Sequence, residues 1–281
     1  MARRVRRSVE SPEPGFFTDG TLWRPVAERL ASRGIGSIVP NWPLGSHRVP
    51  ATGDLSLGSL ATAINALAAG LDPVGVVLVG NDTGGAICQL ALRDPARNVR
   101  GLVLTNCDAF DWFPPRWFVP LIRSARYRPS TWLLLQLTRF RAVRHSPLAY
   151  GRLLSSPRPS STTRDWVDPA LRSAAIRRDI NRFTRGIKGD ELVDAASWLS
   201  NFHHPGRVVW ATGDRCFTGE LGHRLVDALP RAEWIGVDGD TTFVPLQQPD
   251  EVAQAIEDCL REIDADTTNR PPTNAPMQDK R

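Results

Sequence analysis

One stretch constrains this chain more than any other: the apolar run of residues 74–79 (VGVVLV), followed at once by Gly80-Asn81-Asp82-Thr83-Gly84-Gly85 and then by helix-forming residues. A strand with no polar alternation is covered on both faces, as strands are in parallel sheets sandwiched between helix layers. Glycines on either side of Asp82 let strand and helix approach closely and let the central residue take a strained backbone conformation. The stretch therefore predicts an α/β architecture with Asp82 projecting above the end of a central strand.

The rest of the chain keeps the same rhythm. Thr21 to Arg33 has apolar residues at helical spacing and stops at Gly34, a residue type that ends helices. Ile35 to Pro40 reads as a strand, Asn41 to His47 as a loop, and Leu57 to Ala69 as a second helix. After the Asp82 turn come a helix at Gly85–Leu92 and a strand at Val99–Leu104. Strands resume at Arg207–Ala211 and Ala232–Val237, with helices at Glu220–Leu229 and Pro249–Ile263. Between Phe110 and Phe202 the strand signal vanishes, replaced by arginine-, proline- and aromatic-rich helical segments such as Trp117–Ser124 and Thr131–Phe140. The expected organisation is a core of residues 15–109 and 203–263 with a helical cap inserted at 110–202. Residues 1–14 read as a basic, disordered segment, and the polar, proline-rich 264–281 as a disordered tail.

A chain of 281 residues with 41% hydrophobic content can bury one substantial core. No run of eighteen apolar residues is present, and the basic N-terminus is not followed by an apolar stretch, so the expectation is a cytoplasmic protein without a membrane partner. The net charge of +5 is nearly all arginine and is not interleaved with aromatics as a nucleic-acid groove would be, so no nucleic-acid partner is expected. Cys88, Cys107, Cys216 and Cys259 have no metal-ligand spacing, so neither disulfides nor a metal are expected.

A carboxylate at the apex of such a turn can displace a leaving group from carbon and form an alkyl ester, and the following helix N-terminus favours the anion. The plainer reading is an aspartate that caps the helix.

The segment VVLVGNDTGGAICQLALRDPARNVRGLVLTNCDAFDWFPP resembles the haloalkane dehalogenase and epoxide hydrolase branch of the α/β-hydrolases. Trp23-Arg24-Pro25-Val26, Pro43-Leu44-Gly45-Ser46-His47 and Phe243-Val244-Pro245 with Gln248-Pro249 support it, over about Gly15 to Leu260. The resemblance implies an α/β-hydrolase fold with an inserted helical cap, Asp82 as nucleophile, and no cofactor. The family's Trp-Gly-x-x-Asp pattern falls on Trp210-Ala211-Thr212-Gly213-Asp214, which makes Asp214 the acid. The backbone N–H groups of Phe16 and Thr83 would form the leaving-group or oxyanion pocket.

Two departures stand out. The family's base, a His directly before Phe, falls on Thr242, and a hydroxyl is no base near neutral pH. His47, His145, His203, His204 and His223 read as surface or structural imidazoles. The family's apolar strand ending in His-Gly has Pro14-Gly15-Phe16 in its place, and the residues before it carry no strand pattern, so the first strands read as missing. Substrate markers are mixed, since Thr83 stands where dehalogenases hold halide with Trp. Epoxide hydrolases use cap tyrosines, and Tyr127 and Tyr150 both fall in the cap; Trp112, Trp117 and Trp132 are candidates to line a pocket beneath it. The implied function is hydrolysis of a small apolar substrate, a haloalkane, epoxide or ester, with impaired turnover. A catalytically inert homologue binding an apolar ligand or partner, and a truncated gene product, stay open as alternatives. No oligomeric state is implied.

Overall fold

The computed structural model describes residues 8–13, 15–71, 75–155 and 160–268. Six parallel strands form one sheet: β1 (Ser8–Glu13), β2 (Gly36–Ile38), β3 (Val76–Asp82), β4 (Val99–Cys107), β5 (Gly206–Ala211) and β6 (Ala232–Val237), in the order β2-β1-β3-β4-β5-β6. β3, with both neighbours paired, is buried along its whole length, the outcome expected of a strand with no polar face. Helices α1 (Arg24–Ser32), α2 (Leu57–Ala69) and α3 (Thr83–Ala91) join the early strands, and α10 (Gly219–Ala228), α11 (Val244–Gln247) and α12 (Pro249–Thr268) the late ones. α1 and α11 pack with α12 in one layer, while α2 packs on α3 in another. The elements expected at Leu57–Ala69 and Ala232–Val237 have those bounds in the structure.

The expectation of a missing strand beside the one that carries Asp82 is corrected. Ser8–Glu13 is β1, paired in parallel with β2 on one side and with β3 on the other. A polar sequence, SVESPE, gives no hydrophobic signal, yet the open backbone edges of β2 and β3 demand partners for their N–H and C=O groups. The register shifts between Glu10 and Pro12, where a proline, which has no N–H to donate, is tolerated within a sheet. Residues 1–7 and Pro14, also assigned to the disordered segment, lie outside the described residues, as do residues 269–281 of the expected tail. The rest of that tail is not disordered: α12 continues to Thr268.

Between β4 and β5 the described residues form helices only: α4 (Val119–Ser124), α5 (Arg128–Leu137), α6 (Arg141–Arg144), α7 (Ser160–Arg172), α8 (Ala174–Gly186) and α9 (Ala195–Leu199). α5, α7 and α8 pack on one another, and Ala125, Leu135, Ala170, Ile176 and Ile180 form a small core of their own. His47 fastens this group to the loop after β2: its Nδ1 accepts from the Gly45 N–H at 3.2 Å and its Nε2 lies 3.3 Å from Asp179 of α8. Burial lowers its pKa despite that carboxylate.

Candidate active site

β3 passes into α3 with no intervening residue, and Asp82 absorbs the change of direction at φ 53°, ψ −132°, a left-handed backbone unfavourable for any residue but glycine. Closeness of the two elements is what the flanking glycines allow. A Cβ on Gly80 would lie 2.6 Å from the Gly85 Cα, and one on Gly85 would lie 2.3 Å from the Cys107 Cβ. Asp82 makes no side-chain capping hydrogen bond to α3, so its carboxyl does not serve as the cap of that helix.

A third glycine brings the donor side of the site together. A Cβ on Gly15 would fall 2.0 Å from Asp82 Oδ2, so only glycine lets this loop cross the carboxyl. The Phe16 N–H then donates to Oδ2 at 3.2 Å, and the Thr83 N–H at the start of α3 also favours the ionised carboxyl. The N–H groups expected from Phe16 and Thr83 thus both act on one carboxyl. Burial pushes the Asp82 carboxyl up to about 7, the two N–H groups oppose that rise, and the charge of Asp214 adds to it.

Behind Asp82 lies a buried polar network. Asp214, after β5, accepts from the Cys216 N–H at 2.7 Å, from Asn106 Nδ2 at 2.8 Å and from the Thr242 hydroxyl at 2.9 Å. Burial still raises its pKa to about 6. Asn81 ties Thr242 to the strand end by donating to its carbonyl at 2.8 Å. Asp214 and Thr242, remote in sequence, are therefore direct partners, and Thr242 is fully buried.

Above the strand ends is a cavity of about 310 Å³. Asp82, Thr83 and Asp108 line it at the strand end, Phe16 and Phe17 at the side, and Phe118, Leu121, Leu134, Ile180 and Phe183 from the helices between β4 and β5. Asp214 and Thr242 do not line it, nor does any of the five histidines. Two further expectations are corrected. Tyr127, which precedes α5, is 66% exposed and does not line the cavity; Tyr150 does line it, and its hydroxyl donates to the Phe17 carbonyl at 2.6 Å. Burial pushes the Tyr150 pKa further above its usual value. None of the three candidate tryptophans lines the cavity: Trp117 and Trp132 are exposed, and Trp112 donates to the Cys216 carbonyl at 2.9 Å.

Sequence reasoning missed Asp108. It follows β4 directly, beside the register pair Asp82–Cys107, and is 1% exposed. One carboxyl oxygen, Oδ2, takes the Thr83 hydroxyl at 3.3 Å, and the other, Oδ1, has no partner. Burial and the charge of Asp82 hold its pKa well above the carboxylate range. The signal available was position: ligands of open parallel sheets sit at the carboxyl ends of the strands, which makes Asn106-Cys107-Asp108 as eligible as the glycine-flanked turn. Asn81 and Asn106, which organise Asp214 and Thr242, were missed for the same reason.

The chain is similar in structure to a thermophilic esterase from Thermogutta terrifontis, at 21% identity and TM-score 0.68 over 92% of this chain and 90% of that one. It is also similar to the haloalkane dehalogenase DbeA from Bradyrhizobium elkani, at 16% and 0.71 over 94% and 93%, and to an enol-lactonase from Burkholderia xenovorans, at 16% and 0.68 over 92% of each. These likenesses establish the α/β-hydrolase fold. No curated protein sequence matches the chain. The model of the Alpha/beta hydrolase family matches residues 14–255, most of the chain, and the chain belongs to that family.

Proposed function

We propose that this protein is a hydrolase in which Asp82 displaces a leaving group from a small apolar substrate, a haloalkane, epoxide or ester, forming a covalent ester. The observation that carries this reading is Asp82 itself, held at a strained φ of 53° at the strand end of a cavity lined mainly by apolar side chains. Such strain persists only where surrounding structure enforces it, and it clusters at functional sites. The N–H groups of Phe16 and Thr83 favour the attacking carboxylate and would hold negative charge developing on its carbonyl oxygen during ester hydrolysis. Helices 110–202 act as the cap that shields the cavity from water. Asp214 occupies the acid's place and Thr242 that of the base, so the usual activation of water is absent and ester hydrolysis is slow unless another group supplies it. No cofactor is required by this chemistry. A cytoplasmic setting suits four buried cysteines and, among the described residues, the absence of any helix long and apolar enough to cross a membrane.

The replacement of His by Thr242 also favours a second reading, an inert homologue that binds an apolar ligand in the same cavity. Intact-protein mass spectrometry after incubation with haloalkanes, epoxides and activated esters, with product assays alongside, separates the two. Added mass on Asp82, or released product lost in Asp82→Asn, is the expected result. No adduct and no product across the panel, with apolar ligand binding kept in Asp82→Asn, would establish the inert reading instead.

A further inference from the structure

Among the described residues, the strand end of the cavity gathers carboxyls without a cation. Asp82, Asp108 and Asp214 are at most 8% exposed; Asp82 and Asp108 line the cavity, and among the described residues no Arg, Lys or His does. An anionic leaving group released here would meet other carboxyls in a poorly hydrated space, where unpaired charge is expensive. A leaving oxygen that receives a proton as it departs adds no anion. Asp108 has the means to supply that proton, with Oδ2 occupied by the Thr83 hydroxyl, Oδ1 free of any partner and its side chain on the cavity wall beside Asp82.

Building on the proposed Asp82 nucleophile, we infer that Asp108 is a catalytic acid and then base, and that the substrate class is an apolar epoxide. An oxygen of Asp82 attacks a ring carbon, the ring C–O bond breaks, and the Asp108 proton passes to the departing oxygen. The products are a hydroxyalkyl ester on Asp82 and an Asp108 carboxylate. That carboxylate takes a proton from water as the water oxygen adds to the ester carbonyl, whose oxygen is held by the Phe16 and Thr83 N–H groups. Collapse expels the diol oxygen, which recovers the proton from Asp108, leaving Asp82 as the acid; transfer of its proton to Asp108 restores the starting state. The sum is epoxide plus water to diol, and Asp108 does what Thr242 cannot. This is the acid-to-base alternation by which one carboxyl serves both halves of a double displacement. Of the titratable groups facing Asp108, Asp82 opposes its ionisation, and the Cys107 and Cys216 thiols are themselves held neutral, chiefly by burial.

The same balance gives a sharp contrast. A haloalkane leaves without a proton, so Asp108 stays protonated, no base is generated, and the alkyl ester on Asp82 accumulates. The test is single-turnover mass spectrometry of wild type, Asp82→Asn and Asp108→Asn with one apolar epoxide and one alkyl iodide. Wild type should release diol from the epoxide and retain the iodide-derived ester. Asp108→Asn should slow ester formation from the epoxide about 100-fold or more, while esterification by the iodide stays within a few-fold of wild type. A merely structural role for Asp108 would depress both reactions together, and that result would overturn the inference, as would epoxide turnover by Asp108→Asn within twofold of wild type. Absence of any Asp82 adduct or Asp82-dependent product in wild type would instead overturn the underlying nucleophile reading.

Discussion

The cavity has two walls made on different principles. At the strand end, shape is set by backbone: three glycines, the N–H groups of Phe16 and Thr83, and a left-handed Asp82 bring carboxyls together inside the molecule. The facing wall draws largely on residues 112–164, with ten arginines and no acidic residue, and on Val167, Ile180, Phe183 and Ile187, yet what it offers the cavity is leucines and phenylalanines and, among the described residues, no arginine. Acids that line the cavity and described arginines that do not show that charge in sequence says little about charge at a site. The strand end should resist added atoms, whereas the helical wall should resist their removal.

The largest effect expected is all or none. Asp82→Asn should abolish every covalent adduct seen by intact mass, and an adduct surviving in that variant would remove the strand end from the chemistry. Next comes the helical wall. Phe183 is 1% exposed and lies 5.3 Å, centroid to centroid, from Phe16. Phe183→Ala should therefore lose about 3–5 kcal/mol in urea unfolding and enlarge the range of ligands bound; a loss below 1 kcal/mol would show that this wall is not packed as a core. Gly85→Ala should cost about 2–3 kcal/mol by overpacking against Cys107, although alanine is ordinarily the better helix former. A stabilised Gly85→Ala protein would contradict the close approach on which the strand-end argument rests.

A smaller effect concerns pH. Asp82 and Asp214, raised to about 7 and about 6, keep protons in the folded state that the unfolded chain releases near pH 4. Their contribution is thus fully present below about pH 4 and is lost as pH rises through about 6 to 7. Asp82→Asn should gain stability relative to wild type as pH rises from 4 to 8 in denaturant titrations, and a pH-independent difference would show that Asp82 is not buried as described. Smallest of all, Trp132→Ser on the outer face of α5, half exposed, should change stability by no more than about 0.5 kcal/mol.

Much of the frame was legible because it depends on local pattern. The apolar run at residues 74–79 and the glycines around Asp82 announce a buried strand entering a tight turn, and the structure has β3 passing directly into α3 there. The partnership of Asp214 and Thr242 could be anticipated only through resemblance, since nothing local links a turn after β5 to one after β6. What pattern hid was structure made by backbone demand. β1 carries Ser, Glu and Pro and no periodicity, and it forms because β2 and β3 each present an open edge.

The sequence by itself determined the order of elements and the site of the turn, since apolar periodicity and glycine placement act within a few residues. Only the tertiary structure decided which carboxyls meet. Asp82 and Asp108 are 26 positions apart, and Asp214 stands far from both. They converge because parallel strands end side by side, and their shared burial, a property of no single residue, then shifts their protonation.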